Sequence, residues 1–217
     1  MQSLTEENYL KAIYRLLQKK VDKITPTALA EEMNIHAASV VDMIKKLGDK
    51  KLITYDKKKG AKLTESGKKI ALDIVRKHRI WEVFLLEKLG YSWDIVHEIA
   101  EQLEHIKHHE LADRLDKFLG SPVYDPHGDP IPNAKGEIPV TTNTLLFEIE
   151  EGKTCQVTAV KDTSAVFLQY LEQLSVSIGT KIKVIEKIPF DGSMNIQIGK
   201  EVKTTVSKKL ADSLFVS

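Results

Sequence analysis

Cysteine is nearly absent from this sequence of 217 residues, because Cys155 is the only one. An internal disulfide and a zinc site made of several thiolates are therefore excluded. Long apolar runs are also missing. None approaches the roughly 18 residues that a membrane-spanning helix needs, and the segment from Met1 to Asn8 is polar and acidic, unlike a signal peptide. We therefore expect a cytoplasmic protein with no membrane partner.

A strong excess of one charge is lacking as well, but the net charge of +1 is unevenly distributed along the chain. Residues 1–77 carry 17 lysines and arginines against 10 acidic residues, whereas residues 78–140 carry 6 against 12. Residues 141–217 are balanced, with 9 of each. The basic block indicates binding to a polyanion, and the acidic block indicates binding to cations.

The basic block has the pattern of three helices followed by a hairpin. Thr5 is predicted to cap the first helix, which runs to about Lys19. The second helix begins near Pro26 and ends near Asn34, and after a tight turn the third helix begins at His36. Four apolar side chains of the third helix are expected to face the core: Val40, Val41, Ile44 and Leu47.

Residues 52–55 and 61–64 alternate like two strands around the basic turn 56–60, which predicts a β-hairpin. A helix-turn-helix followed by a hairpin is the winged-helix arrangement of double-stranded DNA-binding proteins. A solvated turn is the other explanation of the basic hairpin taken alone. The expected contacts with base edges are His36, Ala37, Ala38, Ser39 and Asp42, and those with phosphates are Lys57, Lys58 and Lys59.

Residues 97–110 stand out because they contain four histidines and four glutamates. A long helix is predicted to end near Leu89, and a further helix is predicted from Asp94 to Glu110. One stripe of that further helix carries metal-ligand side chains, namely His97, Glu101, Glu104, His105 and His108. His78 and Glu82 add two more at i, i+4 on the long helix. A solvated charged face is the alternative to a metal site.

An apolar surplus on the long helix indicates either a homodimer interface or packing within the chain: Trp81, Phe84, Leu85, Leu86 and Leu89. A short helix over 111–119 ends at Gly120. Residues 121–140 contain five prolines and are predicted to be an extended linker. Beyond it, alternation predicts strands at 156–160, 181–185 and 194–198 and a helix at 165–173, which is typical of a small SH3-like β-barrel.

Together these features resemble the diphtheria-toxin-repressor family of metal-dependent transcriptional regulators, along the whole chain. The most specific matches are Arg76 to Arg79 with Glu82, the pattern from Val96 to His105, and the proline-rich segment 125–132. The resemblance implies a mainly α fold with small β content: an N-terminal winged helix-turn-helix (1–75), a helical metal-binding and dimerisation domain (76–120), a linker (121–140) and a C-terminal SH3-like domain (141–217).

The resemblance also implies two metal sites. Carried over by position, the primary site is Asn8, Glu101, Glu104 and His105, and the second is His78, Glu82 and His97, with Asp162 lent by the SH3-like domain. An oxygen ligand at position 101 resembles the manganese-type regulators, so Mn²⁺ is expected ahead of Fe²⁺. Lys11 stands where those regulators have glutamate, which implies the iron-sensor layout rather than a binuclear site. His108 and His109 match no ligand of the family and are expected at the surface.

The function that follows is a manganese-responsive repressor of metal homeostasis. It is expected to bind operator DNA as a homodimer when it is loaded with metal. An iron(II)-responsive repressor and a metal-independent winged-helix protein are the alternatives. An enzyme is not expected, because neither His-Glu-x-x-His nor Glu-x-x-His spacing occurs between His97 and His105. No small organic substrate is expected either.

Overall fold

The computed structural model describes residues 2–108, 110–141, 144–199 and 202–217, so the expectation for His109 lies outside the described residues. The chain forms two compact units. The first comprises Met1–His78, Glu101–Arg114 and Pro132–Glu137, and the second comprises Arg79–Ala100, Leu115–Ile131 and Ile138–Ser217. No helix of the described chain is both long and apolar enough to cross a membrane.

Helix α1 spans Leu4–Gln18 and begins one residue earlier than the predicted cap at Thr5. Ser3 is the N-cap: its Oγ accepts a hydrogen bond from the Glu6 amide at 3.3 Å, and Glu6 Oε2 accepts one from the Ser3 amide at 3.1 Å. This reciprocal capping box satisfies two backbone donors at once. Ser3, rather than Thr5, caps the two backbone donors, so the helix begins at Leu4.

Two shorter helices and a hairpin complete the winged helix-turn-helix: α2 (Pro26–Met33), α3 (Ala37–Asp49), β1 (Ile53–Asp56) and β2 (Gly60–Leu63), the two strands pairing antiparallel. Val40, Ile44 and Leu47 are buried as predicted, but Val41 is 55% exposed, contrary to expectation. The physical reason is that a helix packed on one side buries only the i, i+4, i+7 stripe.

The middle of the chain contains α4 (Glu65–Leu89), α5 (Val96–Leu103) and α6 (Leu111–Phe118). The helix predicted from Asp94 to Glu110 is therefore wrong in extent, since α5 is only eight residues long and the chain turns after Leu103, where the Ile106 amide donates to the Leu103 carbonyl at 3.1 Å. Beyond that point the sequence has no apolar stripe to bury. The carboxylate of Glu104, which is 0% exposed, instead turns towards buried polar partners.

The segment predicted to be an extended linker contains an ordered turn. Asp125 Oδ1 accepts hydrogen bonds from the amides of His127 at 2.8 Å and Asp129 at 2.9 Å, and Tyr124 bridges to Pro130. Gly128 has φ +87°, and a Cβ there would lie 2.1 Å from the Thr158 carbonyl oxygen, so only glycine fits this close approach. The carboxylate of Asp125 and the ring of His127 are thereby held in the interior.

The C-terminal part contains β3 (Thr144–Leu145), β4 (Thr154–Val160), α7 (Ala165–Gln173), β5 (Lys181–Lys187), β6 (Met194–Ile198), β7 (Val202–Val206), α8 (Lys208–Ala211) and β8 (Leu214–Val216). Its strands form one antiparallel sheet with the order β3-β8-β4-β5-β6-β7. The three predicted strands and the predicted helix are confirmed. Ile182, Val184 and Ile196 alternate into a core that also contains Leu168 and Leu171.

Candidate metal centres and nucleic-acid interface

The first unit brings helix α1 against residues 101–105 through a buried polar cluster. Lys11 Nζ donates to Glu104 Oε2 at 2.5 Å and to Glu101 Oε1 at 2.8 Å, and it lies 3.2 Å from Nδ1 of His78. His78 Nδ1 also lies 2.6 Å from Glu104 Oε2. Arg15 adds a second cation, whose Nη2 donates to Glu101 Oε1 at 2.9 Å. This cluster is called the α1 cluster below.

Charge in the α1 cluster is balanced internally. Burial alone would raise the pKa of Glu101, but the charges of Lys11 and Arg15 outweigh it and lower that pKa to about 2. Burial, followed by repulsion from Arg15, lowers the pKa of Lys11 from its ordinary value, and the two carboxylates oppose that shift. The cluster therefore keeps the carboxylate of Glu101 ionised, as a ligand of a metal ion must be.

Two buried oxygens of the first unit are available to a cation. Asn8 Oδ1 and Glu104 Oε1 are buried, and neither has a hydrogen-bond partner within the part of the chain that the structure describes. Buried acceptors without partners cost about 1–3 kcal/mol each, so a cation bound to either oxygen would stabilise it. Amide and carboxylate oxygens with an imidazole are a donor set that suits Mn²⁺ and Fe²⁺. The residues present therefore fit a divalent metal ion.

Hydrogen bonding orients the ring of His105 so that one nitrogen can bind a metal ion. Its Nδ1 lies 2.7 Å from Glu7 Oε2, and its Nε2 lies 3.6 Å from Glu104 Oε1. When Nδ1–H donates to the carboxylate of Glu7, Nε2 carries the lone pair and faces the glutamate oxygen that accepts no hydrogen bond. Glu7 was not among the predicted site residues. Its signal in the sequence was its place beside Asn8 in the first turn of α1.

The four residues predicted for the primary site, Asn8, Glu101, Glu104 and His105, all belong to the first unit. His78, predicted for the second site, also lies there and contacts Lys11 and Glu104. The α1 cluster thus brings together Glu101 and Glu104, two of the predicted primary ligands, with His78, which the sequence assigned to the other site.

Glu82 and His97, the other residues predicted for the second site, lie in the second unit, where His97 Nδ1 is 3.1 Å from Glu82 Oε1. Glu82 also meets two residues of the proline-rich turn: ligand atoms of Glu82, Asp125 and His127 all lie within 4.8 Å of one another. These three side chains are buried and form what we call the turn cluster.

Asp162 does not belong to either metal-ligand grouping found among the described residues, and its Oδ1 accepts a hydrogen bond from the Ser164 amide at 2.9 Å. Asp125 and His127 are not predicted as ligands, because the proline-rich sequence of residues 121–140 predicts an extended linker. A signal was present, since both lie in the Asp-Pro-His-Gly sequence that also carried the family resemblance.

In the turn cluster the pKa values of Asp125 and His127 are raised, whereas in the α1 cluster the pKa of Glu101 is lowered. Burial, reinforced by the nearby carboxylates of Glu82 and Asp129, raises the pKa of Asp125 to about 8. Burial would lower the pKa of His127, but the hydrogen bond and charge of Glu82 raise it to about 9. His127 Nε2 lies 2.8 Å from the Trp93 carbonyl oxygen, which fixes the ring and leaves Nδ1 facing Glu82 at 3.8 Å.

The predicted DNA-contacting residues all lie on the exposed surface of the first unit: His36, Ala37, Ala38, Ser39, Asp42, Lys57, Lys58 and Lys59. The wing tip is braced by Asp56 Oδ1, which accepts hydrogen bonds from the amides of Lys58 at 2.8 Å and Lys59 at 2.9 Å. Exposed Val41 and Lys45 extend this face along α3 and were not predicted. A solvent-facing valine on a helix of this kind can contact a thymine methyl group.

Helix α1 is also tied to α3. Glu6, which is 1% exposed, accepts hydrogen bonds from Lys50 Nζ at 2.8 and 2.9 Å and pairs with Lys46 Nζ at 3.0 Å. The Lys50 hydrogen bond is the main cause that lowers the pKa of Glu6 to about 2. The Tyr9 hydroxyl donates to the Ser39 carbonyl at 3.4 Å. Adjacent residues of α1 therefore contact α3 on one side and His105 on the other.

Comparison with known proteins gives a consistent result over nearly the whole chain. Residues 1–61 match the family described as iron dependent repressor, N-terminal DNA binding domain, residues 64–133 match its metal binding and dimerisation domain, and residues 144–217 match the FeoA domain.

Two solved structures of manganese-responsive regulators are similar along their full length. A manganese-dependent transcriptional repressor in complex with manganese is 33% identical, with a TM-score of 0.88 over 97% of this chain and 98% of that one. The manganese regulator SloR is 35% identical, with a TM-score of 0.78 over 98% of this chain and 97% of that one.

Among curated proteins, the iron-dependent repressor IdeR of Mycobacterium tuberculosis (strain ATCC 25618 / H37Rv) is 31% identical over 128 residues, which is 59% of this chain and 55% of that protein. The match therefore spans only about half the length of these curated relatives.

Proposed function

Because the chain belongs to the iron-dependent repressor family, whose members include the diphtheria toxin repressor, we propose that it is a cytoplasmic, metal-responsive transcriptional repressor. It binds operator DNA as a homodimer when a divalent metal ion is held in the α1 cluster. Mn²⁺ is the expected ion, and Fe²⁺ is the alternative, because oxygen and imidazole ligands accommodate both. The family is one of DNA-binding regulators, and we propose no enzymatic activity.

The observation that carries this proposal is that two buried oxygens, Asn8 Oδ1 and Glu104 Oε1, have no hydrogen-bond partner among the residues that the structure describes. One belongs to α1, within the winged-helix part, and the other to the chain just after α5. Glu101 and His105 complete the ligand set. A divalent cation bound by these oxygens would favour the arrangement in which α1 and residues 101–105 are in contact.

The coupling to DNA is supported by the contacts of α1. Glu7 holds His105, while Glu6 holds Lys46 and Lys50 near the end of α3. Because these contacts come from adjacent residues of one helix, a restraint on the position of α1 also restrains α3, which presents the expected base contacts. A useful switch requires a coupling of about 1–3 kcal/mol between the two binding events.

The homodimer is supported by apolar side chains that remain exposed in the second unit. Phe118 is 66% exposed and Leu89 is 56% exposed, and Phe118 packs against Phe84 at a ring separation of 6.4 Å. Leu85, in contrast, is buried within the chain. We propose that Phe84, Leu89 and Phe118 contribute to the dimer interface, which would place two winged helices on one operator.

The turn cluster is proposed as a second metal site, made of Glu82, Asp125 and His127. Its support is the convergence of three buried ligand-type side chains within 4.8 Å. The predicted roles of His78, His97 and Asp162 as second-site ligands remain predictions, and measurement of Mn²⁺ binding by His97→Ala and Asp162→Ala variants would test them.

The function is tested by selecting DNA sequences from a random pool in the presence of Mn²⁺ and measuring affinity for the winning sequence by fluorescence anisotropy at fixed salt. We expect 5- to 150-fold tighter binding with Mn²⁺ than with a chelator, the range typical of allosteric coupling. Undiminished binding in the chelator would favour the metal-independent alternative. The same titration with anaerobic Fe²⁺ decides between the two metals by the concentration at which each one acts.

A further inference from the structure

The exposed side of helix α3 carries a carboxylate in the middle of the surface that faces away from the core. Four exposed residues lie at i, i+3, i+4 and i+7 and form one stripe along the helix, called the α3 stripe below: Ala38, Val41, Asp42 and Lys45. The buried residues of α3 lie on the opposite side of the helix. In a winged helix-turn-helix the exposed side of this helix is the one that enters the major groove.

The carboxylate of Asp42 forms no hydrogen bond and no ion pair within the part of the chain that the structure describes. On a helix surface its natural partners would be the lysines at i+3 and i+4. The first of these, Lys45, does not pair with it, and the second, Lys46, places its Nζ 3.0 Å from Glu6 Oε1 instead. A negative charge without an internal partner therefore lies on the face that is expected to approach a polyanion.

Such a carboxylate opposes DNA binding unless the DNA supplies a donor for it, because it is repelled by the phosphates. The major groove presents two kinds of hydrogen-bond donor, the N4 amino group of cytosine and the N6 amino group of adenine. Adenine has the acceptor N7 beside its amino group, and an ionised carboxylate has no proton to donate to it. Cytosine is therefore the base whose edge fits a carboxylate best.

We propose that Asp42 reads a cytosine in each operator half-site by accepting a hydrogen bond from its N4 amino group. The proposal rests on the proposed function and deepens it by naming a base that the winged helix selects. Within the α3 stripe, Ala38 and Val41 have no hydrogen-bonding atoms in their side chains, and Lys45 is a donor only. Arginine, asparagine and glutamine, which read guanine and adenine, do not occur between His36 and Lys46.

The same charge discriminates against other bases at that position. Thymine presents O4 and guanine presents O6 and N7, which are all acceptors. A carboxylate placed against them would lose its water without gaining a hydrogen bond, and so would the base. Asp42 is therefore expected to lower the affinity for most sequences and to spare those with a cytosine at the contacted position.

The test uses the full-length protein with Mn²⁺ and a random DNA pool, from which the wild type, Asp42→Asn and Asp42→Ala each select their preferred sequence. A side-chain amide reads adenine through N6 and N7. Asp42→Asn should therefore replace the cytosine by adenine at one position of each half-site, and Asp42→Ala should lose the preference there. Asp22→Asn is the matched control, because it makes the same change at an exposed aspartate outside α3 and should select the wild-type sequence.

Fluorescence anisotropy then measures the size of the effect. Replacing the cytosine–guanine pair of the wild-type operator by thymine–adenine should weaken binding of the wild type by about 5- to 150-fold. Asp42→Ala should bind the two operators with nearly equal affinity. Both variants should keep the wild-type melting temperature by circular dichroism, because the carboxylate has no partner among the described residues.

The inference is overturned if the wild type and both Asp42 variants select the same base at every position, or if no position of the wild-type operator requires cytosine. Failure of the proposed function looks different. Selection of the same cytosine in a chelator, with undiminished affinity, would remove the metal-responsive repressor and leave the reading of cytosine by Asp42 standing. A protein that enriches no sequence under either condition would contradict both.

Discussion

The α1 cluster and the turn cluster contain similar side chains but balance their charge in opposite ways. In the α1 cluster the ammonium of Lys11 contacts two carboxylates at 2.8 Å or less, and the pKa of Glu101 falls to about 2. In the turn cluster the nearest guanidinium, that of Arg79, lies 3.5 Å from Asp125, and burial dominates, so the pKa of Asp125 rises to about 8.

The two clusters therefore contain two kinds of carboxylate, a half-buried one beside a cation and a buried one among other carboxylates. A carboxylate with a close internal cation stays ionised, whereas a carboxylate surrounded by others takes up a proton. A metal ion entering the α1 cluster meets Glu101 already ionised. In the turn cluster it must displace protons from Asp125 and His127 before it can be bound.

The largest effect is expected for Glu104→Gln, which removes the fully buried carboxylate of the α1 cluster. Mn²⁺ affinity of the α1 cluster should fall by at least about 100-fold, because loss even of a group that only orients a ligand costs 10- to 100-fold. Isothermal titration calorimetry measures the loss. Glu98→Gln, which changes an exposed glutamate of α5, is the matched control and should bind as the wild type does.

For the turn cluster, Asp125→Asn should reduce Mn²⁺ affinity of that cluster by about 10- to 100-fold and leave the α1 cluster intact. The wild-type affinity of the turn cluster should also rise between pH 7 and pH 9. The sign follows from the raised pKa values of about 8 for Asp125 and about 9 for His127, since these groups lose their protons over that range. Affinity that is independent of pH, with no proton release on binding, would contradict this assignment.

The sequence predicted the α1 cluster better than the turn cluster for a physical reason. The ligand candidates at 101–105 lie in a dense run of charged residues, so local pattern reveals them, and Asn8 was implied by the family resemblance. The turn cluster depends on contacts distant in sequence, between Glu82 of α4 and a proline-rich turn more than forty residues later. The pattern of prolines indicated only the absence of regular structure, whereas the Asp125 side chain folds that stretch into a turn.

The fold shows the same limit. Alternation and helical periodicity identified the winged helix and three strands of the C-terminal sheet, because both depend on neighbouring residues. The end of α5 was missed, since it depends on burial of the Glu104 carboxylate against Lys11 and His78. No local pattern records the partners that a buried charged group finds.

A smaller effect is expected for Glu6→Gln, which tests whether α1 connects the α1 cluster to the recognition helix α3. Loss of the charged hydrogen bonds to Lys50 should cost about 1–2 kcal/mol of unfolding free energy, less than a fully buried pair because both lysines are partly exposed. Mn²⁺ affinity without DNA should be nearly unchanged, while the enhancement of DNA binding by Mn²⁺ should shrink. Glu31→Gln, at an exposed position of α2, serves as the control in urea denaturation and DNA titrations.

The smallest effect at low salt is expected for the wing. Replacing Lys57, Lys58 and Lys59 with glutamine should reduce the slope of log affinity against log salt by about 2–3, since each phosphate contact contributes about 0.9. Mn²⁺ binding should not change, because these lysines are exposed and belong to neither cluster. A triple replacement of exposed lysines in the C-terminal sheet domain, Lys181, Lys183 and Lys209, should leave the slope unaltered.

The central claim is that metal in the α1 cluster and operator DNA favour the same conformation, and linkage makes this measurable in reverse. Mn²⁺ affinity should be determined by calorimetry with and without saturating operator DNA, for the wild type and for Asp125→Asn. In the wild type and in Asp125→Asn alike, we expect DNA to tighten Mn²⁺ binding by the same factor by which Mn²⁺ tightens DNA binding. An unchanged Mn²⁺ affinity in the presence of DNA, or an enhancement that disappears in Asp125→Asn, would contradict it.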